Sequence, residues 1–242
     1  MMRSIDANGM DFQALNALLR ETPEDVELRG CLGQRFIGAG MGGQKKLRIR
    51  GVPGNALGAY LNGGEIEVFG NAQDAVGDTM NAGTILVHGS IGDTAGYAMR
   101  GGKLYVRDSA GYRAGIHMKE YKEHLPVVII GGRAGSFLGE YQAGGILAVL
   151  GLHRDGRPIV SNFPCTGMHG GKLFLRSRCE DILFPAQVTP HPATPEDMAE
   201  LEPFLKEYCA LFSLDYGTVA GAPFTVVTPD SANPYRQMYV AN

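Results

Sequence analysis

Tryptophan is absent from this sequence of 242 residues, and charged residues make up only 19% of it. Lysine and arginine number 22 against 25 aspartate and glutamate residues, so the basic excess that is typical of nucleic-acid-binding proteins is missing. No apolar run approaches the length of about 18 residues that a membrane-spanning helix needs. The first thirty residues also lack the pattern of a secretory signal. We therefore expect a cytoplasmic protein that binds neither nucleic acid nor membrane.

Metal-binding and redox spacings are missing as well. The four cysteines are Cys31, Cys165, Cys179 and Cys209. No two of them form a CxxC pair, and the histidines form no HxH or HExxH motif, which excludes the usual zinc and iron–sulfur patterns. Since no export signal is present, we expect reduced thiols rather than disulfides.

The motifs of nucleotide binding and covalent catalysis do not occur either. The segment 38–43 has GxGxxG spacing, but the strand-like QKKLRIR follows it, whereas a dinucleotide fingerprint opens a helix. Neither a P-loop nor a GxSxG nucleophile motif is present. The sequence therefore predicts no catalytic, cofactor-binding or metal-binding residue in this chain.

Glycine is abundant instead, with 35 residues, which is twice its usual share of about 7%. Three abutting blocks of 19 residues begin at Gly51, Gly70 and Gly89. Apolar and polar residues alternate at the end of each block, as in a strand with one buried face. Two glycine positions recur inside the blocks: Gly58, Gly77 and Gly96 occupy the first, and Gly64, Gly83 and Gly102 the second.

The repeat continues beyond these blocks with two insertions. The fourth block opens with Asp108 in place of glycine and is interrupted by the loop 116–126. A second insertion spans Leu152–Asn162, and in the last rung Cys165 stands at the first glycine position. About seven rungs of 19 residues are therefore predicted between residues 32 and 176.

This period predicts an all-β solenoid of parallel strands, because a single rung cannot bury its apolar face whereas stacked rungs can. Glycine at fixed offsets supplies positive φ at the corners without strain. Hexapeptide and calcium-binding nonapeptide coils would need a period of about 18. The position that Asn55, Asp74 and Asp93 share is interpreted as a solvated turn. Large apolar side chains are expected to fill the interior, among them Leu61, Met80, Met99, Met118 and Met168.

The flanking segments predict helices. Apolar spacing indicates one helix near residues 11–20 and another over 194–213, where Thr194 suits the N-cap. The second helix is expected to cap the open end of the coil, and Phe224–Val227 is predicted to be a short strand before an extended arm. The predicted organisation is a helical cap over 1–31, a β-helix over 32–176, and a C-terminal helix and arm over 177–242.

Several outward-facing strand positions are apolar, which is typical of a covered surface. Either a partner protein or a flanking helix of this chain covers them, and the sequence leaves both open. The remaining outward positions are mixed and form no charged ladder or paired carboxylates of the kind that a polysaccharide-cleaving enzyme would need. The apolar positions are Leu86, Tyr105, Ile146, Ala148 and Phe174.

The stretch GIHMKEYKEHLPVVIIGGRAGSFLGEYQAGGILAVLGL, with CTGMHGGKLFLR after it, resembles the glycine-repeat domain at the C terminus of the large subunit of glutamate synthase. It is more similar still to the form of that domain that is a separate subunit. The resemblance covers roughly residues 30–176, and the C-terminal helix and tail fit it too. One of the subunits of formylmethanofuran dehydrogenase shares the glycine pattern.

This resemblance implies a right-handed parallel β-helix without a catalytic centre. In the family, an amidotransferase domain hydrolyses glutamine, and a synthase domain with FMN and an iron–sulfur cluster adds the ammonia to 2-oxoglutarate in glutamate biosynthesis. The β-helix braces the two. The implied partners are a glutamine amidotransferase subunit and an FMN-dependent synthase subunit, with no cofactor in this chain. Self-association is left open.

Two alternative functions remain at this point. The first alternative is the equivalent subunit of a formylmethanofuran dehydrogenase or methylglutamate synthase complex. The second is an autonomous β-helix enzyme that acts on polysaccharide. Gene neighbours would separate the complexes, and a polysaccharide enzyme would need a secretion signal and an acidic cleft.

Partner contact is expected at two places. In the loop Ile116–Pro126, Met118 and Tyr121 would anchor in a pocket while Lys119 and Lys122 meet acidic rims. The second place is the polar C-terminal arm, whose contact residues would be Tyr235, Arg236, Met238 and Tyr239.

Overall fold

The described part of the chain forms one sheet of eleven strands with three helices beside it. The computed structural model describes residues 2–153 and 156–232. The helices are α1 (Phe12–Glu21), α2 (Pro195–Leu211) and α3 (Tyr216–Ala220). The strands are β1 (Arg3–Asp6), β2 (Val26–Leu32), β3 (Gly42–Val52), β4 (Asn62–Val68), β5 (Ala82–Val87), β6 (Lys103–Val106), β7 (Val127–Ile130), β8 (Ala143–Val149), β9 (Gly170–Leu175), β10 (Val188–Pro192) and β11 (Thr225–Pro229).

Strands β1 to β9 are all parallel, and each pairs with the next strand in the sequence. The seven predicted rungs correspond to β3 through β9, so the parallel β-solenoid is confirmed. The insertions do not shift the register, because equivalent rung positions stay aligned across them. One aligned column runs through Ile66, Ile85, Leu104, Val128, Leu147 and Leu173.

The interior of the coil is apolar, as expected. Its predicted filling residues Leu61, Met80, Met99, Met118 and Met168 are all fully buried. In the sixth rung the same slot holds Gln142, which is also fully buried. Its Nε2 donates to the carbonyls of Gly144 (3.3 Å) and Gly145 (3.1 Å), where β8 bulges against β9. The buried amide thus donates hydrogen bonds to carbonyl groups at the bulge, although its Oε1 has no hydrogen-bond partner within the described residues.

The corner glycines adopt left-handed backbone conformations. Gly58 has φ +64°, and a Cβ added there would lie 2.5 Å from Cδ1 of Ile85. Gly77 has φ +71°, but the nearest atom to its Cβ would be Cδ1 of Ile85 at 3.6 Å. Cys165 takes the same slot with φ +60°. The predicted role of glycine is therefore confirmed, and at Gly58 lack of space adds to the backbone requirement.

The shared Asn and Asp position is more than a solvated turn. Oδ1 of Asn55 accepts from the backbone N–H of Asp74 (3.3 Å), and Oδ1 of Asp74 accepts from that of Asp93 (2.9 Å). Oδ1 of Asp93 accepts from the N–H of Tyr112 (2.8 Å). Each side chain therefore satisfies a backbone donor of the next rung and helps to hold the stack in register.

Replacing Asp93 with alanine should lower the free energy of unfolding by about 1 kcal/mol, because the N–H of Tyr112 loses its acceptor. Asp93→Asn keeps an oxygen at the same place and should stay within about 0.5 kcal/mol of the wild type. Urea denaturation of both variants measures the difference. Equal stability of the two variants would show that the side-chain hydrogen bond contributes nothing.

The predicted helical cap over 1–31 belongs in part to the sheet, so the predicted boundary of the coil was wrong. Helix α1 is present, with Asp11 as its N-cap, and its Leu15 and Leu19 pack into the interior core. Strands β1 and β2 lie on either side of this helix in the sequence. They pair with each other, and β2 also pairs with β3. The glycine register could not reveal this turn, because a helix replaces its corner.

Helix α2 lies in the predicted segment of the sequence, but it does not lie at the predicted place in the fold. Thr194 and Asp197 form a reciprocal capping box, and the helix continues through Pro203. It lies on the outward face of the sheet instead of over the open end of the coil. At that end, Ile182 and Phe184 pack against the interior core. The predicted strand near 224–227 is present as β11, and the unpredicted β10 pairs with it in antiparallel fashion.

Candidate functional site

The four cysteine thiols are placed as core groups. All are buried and none is in a disulfide. Burial raises the pKa of Cys31 to about 11 and that of Cys165 to about 12. Burial also raises the pKa of the Cys209 thiol. Because the thiolate is the nucleophile, these three side chains are unsuited to covalent catalysis.

The glycine-rich segment 38–43 leads into β3, as predicted, and not into a helix. It borders a cleft of about 430 Å³ next to the end of α1. Nζ of Lys45, at the mouth of this cleft, donates to the carbonyls of Leu19 (2.7 Å) and Thr22 (2.5 Å). The ammonium group therefore satisfies carbonyls at the end of α1, and the cleft lacks the helix N-terminus of a dinucleotide site.

Within residues 2–153 and 156–232, no group of three or more His, Cys, Asp or Glu side chains is arranged to hold a metal ion. None of the described helices is both long and apolar enough to cross a bilayer.

The outward apolar positions are covered by this chain itself, which decides between the two alternatives. Leu201, Leu205 and Tyr208 of α2 form one buried cluster with them. This face is therefore not free to bind a partner. The covered positions are Leu86 (5% exposed), Ile146 (4%), and Tyr105, Ala148 and Phe174 (0%).

Ion pairs connect α2 to the sheet at two points. Nζ of Lys103 lies 2.7 Å from both carboxylate oxygens of Glu207. Nζ of Lys172 contacts Asp197 (2.8 Å) and Glu200 (2.7 Å). Burial disfavours the charged form of Lys172, but the two carboxylates outweigh it and raise the pKa of this lysine.

Strands β2 to β4 lack this cover, and charged side chains occupy their outward face. The expectation of no charged ladder was wrong here, because acidic and basic residues alternate from strand to strand and form ion pairs. Exposed pairs of this kind contribute little to stability, but they keep the open part of the sheet polar. The pairs are Arg48 with Glu67 (3.1 Å), Arg50 with Glu27 (2.6 Å) and Lys46 with Glu65 (3.4 Å).

The loop Ile116–Pro126 is partly available for contact. Tyr121 is 56% exposed, and Lys119 and Lys122 are exposed as well. The prediction that Met118 anchors in a pocket of a partner was wrong, because its side chain fills the interior slot of its rung and is fully buried. The C-terminal contact residues of the arm lie outside the described residues.

A second exposed surface runs along one edge of the coil. We call it the turn edge, and it consists of the corner segments that repeat once per rung. Ten large apolar or aromatic side chains of the described residues are exposed, and five of them lie here, so the exposed rings are concentrated on this edge. They are Phe36, Tyr60, Tyr97, Tyr112 and Phe163. The segments are 35–40, 55–60, 74–79, 93–98, 112–117, 136–141 and 162–167.

Rings of adjacent rungs contact one another along the turn edge. His117 stacks on Tyr141 at 5.1 Å between ring centroids and meets Tyr97 edge-on at 5.9 Å. Phe137 and Phe163 lie 5.3 Å apart. This surface was not predicted from the sequence. Part of its signal is the register, because Phe36, Phe137 and Phe163 each lie two residues before the first glycine position of a rung.

Comparison with known proteins adds two findings. A family model described as the GXGXG motif matches residues 26–220, which extends from β2 through α3. An uncharacterized protein of Methanocaldococcus jannaschii is 41% identical over 250 aligned positions, which cover 97% of this chain and 95% of the relative. The similarity thus includes the covering helix as well as the coil.

Proposed function

Because this chain belongs to the GXGXG motif family, the glycine-repeat domain of glutamate synthase, we propose that it is a non-catalytic structural subunit of a split glutamate synthase-type complex. In this proposal it braces a glutamine amidotransferase subunit and a synthase subunit that carries FMN and an iron–sulfur cluster. The complex works in the cytoplasm.

The observation that carries the proposal is the extent of the family match. It includes β2 to β9, α2 and α3, so the coil and its cover together correspond to the glycine-repeat domain. The thiols with raised pKa values lie in the core of this unit, where they serve packing. A domain of this kind supplies a rigid surface, and we propose that its contribution to the reaction is to hold the two catalytic subunits together.

We propose the loop Ile116–Pro126 as one contact surface of this subunit. Its tip bears Tyr121, with Nζ of Lys122 lying 5.3 Å from the centroid of the tyrosine ring. Tyrosine is enriched among residues that dominate binding energy. Met118 is not part of this proposal, since its side chain belongs to the core.

The test is reconstitution with a glutamine amidotransferase chain and an FMN synthase chain from the same organism. We expect the three chains to elute together, and glutamine-dependent formation of glutamate from 2-oxoglutarate to fall at least about tenfold when this chain is omitted. The synthase chain assayed with free ammonia is the matched control and should retain its activity. Separate elution of the three chains, with glutamine-dependent activity unchanged, would contradict the proposal.

A further inference from the structure

The turn edge places bulky side chains where the backbone disfavours them. Phe36, Tyr60 and Phe163 have φ values of +60°, +57° and +59°, and a bulky residue in this region is an outlier. Left-handed conformations are unfavourable for an L-residue that carries a side chain. Burial does not offset this cost here, since these side chains are 45%, 59% and 61% exposed.

The fold itself does not require rings at these positions. The two slots lie two residues before and two residues after the first glycine. In other rungs the same slots hold small residues, which have similar positive φ values. These are Ala56, Ala75 and Thr94 before the glycine, and Thr79, Ala98 and Gly167 after it. Strained, exposed side chains that the fold can do without are typical of functional surfaces.

The charges on the same edge indicate what it would contact. Asp74, Asp78 and Asp93 form no ion pair with any described residue. Each uses one carboxylate oxygen in a local hydrogen bond. In the next rungs Arg113 is already paired with Glu140 at 3.0 Å. The middle of the turn edge therefore carries a surplus of negative charge beside Tyr60, Tyr97 and Tyr112.

The aromatic and acidic groups are neighbours in space. The N–H of Tyr60 donates to the carbonyl of Asp78 (2.7 Å), and that of Tyr112 donates to the carboxylate of Asp93 (2.8 Å). An arginine or lysine that approaches this edge can stack on a tyrosine face and pair with a carboxylate at once.

We infer that the turn edge is a docking surface for a partner segment rich in arginine and lysine, contributed by the amidotransferase or synthase subunit. This inference rests on the proposed function and adds to it the surface and the chemistry of the partner. Aromatic rings would supply the contact area, and the three aspartates would set the salt dependence of binding.

Calorimetric titration of each catalytic chain into this chain, at low and at high salt, tests the inference. One variant, Tyr60→Gly with Phe163→Gly, removes two rings and relieves two strained positions. A second combines Tyr97→Ala with Tyr112→Ala, and a third replaces Asp74, Asp78 and Asp93 with asparagine, which keeps their local hydrogen bonds. The exposed Leu183 lies off the turn edge, so Leu183→Ala is the control.

We expect both ring variants to weaken binding of at least one catalytic chain by about tenfold or more. The asparagine variant should weaken it and reduce its salt dependence. The glycine variant should melt no lower than the wild type, which separates binding from folding. Leu183→Ala should bind as the wild type does.

Two other outcomes are distinguishable. If the wild type binds a catalytic chain and all three turn-edge variants bind it equally well, the inference is wrong and the proposed function stands. A Tyr121→Ala variant that alone loses binding would then place the contact at the loop. If the wild type binds neither chain, the proposed function fails and the inference fails with it.

Discussion

Replacing Tyr208 with alanine is expected to lower the free energy of unfolding by about 3–5 kcal/mol, the range for deleting a large buried ring. Tyr208 is fully buried between α2 and the sheet, and its ring packs edge-on to Tyr105 at 5.9 Å. Its Oη donates to the carbonyl of Val106 at 3.0 Å. A Cβ at Gly131 would overlap this hydroxyl, so the sheet has a recess for it. Urea denaturation followed by circular dichroism measures the loss.

Tyr208→Phe is the matched control for this change. It keeps the ring and removes only the hydroxyl, while the N–H of Gly131 still donates to the carbonyl of Val106 (2.8 Å). The expected cost is about 1 kcal/mol. Equal stability of the alanine and phenylalanine variants would mean that the ring does not anchor α2.

Valine at the corner glycines is expected to produce the second large effect. Gly77→Val places a β-branched residue at φ +71° and should cost about 2–3 kcal/mol. Gly58→Val meets the same backbone strain, and its Cβ would also overlap Cδ1 of Ile85. Overpacking typically adds about 1–3 kcal/mol, so this variant should be the less stable of the two. Thermal and urea unfolding measure both.

Alanine variants at the same two sites separate backbone strain from packing. Gly77→Ala should show only the strain of a left-handed residue, roughly 1–2 kcal/mol, because its Cβ would have ordinary contacts. Gly58→Ala should be clearly less stable than Gly77→Ala. A Gly77→Val protein that melts like the wild type would contradict the assignment of this glycine to a strained corner.

The coil was predictable because its signal is local and repeated. The alternation in segments such as 66–68 and 85–87 sets the buried face, and glycine at constant offsets sets the corners. The first turn was missed because α1 replaces its corner. The position of α2 could not be derived from its own amphipathic pattern, since that face fits either the end of the coil or the column through Leu86 and Tyr105.

The candidate surfaces were less predictable for a different reason. Exposure depends on which way each side chain points once the chain is folded. Met118 and Tyr121 are only three residues apart, yet one fills the interior and the other projects from the loop tip. The recurring rings at Phe36, Phe137 and Phe163 are visible in the register, but their backbone strain is a property of the folded corner.

The uneven cover of the sheet divides the coil into halves that respond differently to thermal fluctuation. From β5 onward, α2 connects distant parts of the chain, as where Tyr208 bonds to a residue 102 positions earlier. Opening one rung there disrupts contacts of several others, so this half is expected to exchange its amide hydrogens through cooperative unfolding. Strands β1 to β4 are stabilised by their neighbours in the stack and by α1, as in a one-dimensional array. This half can therefore fray rung by rung, while the half under α2 stays closed.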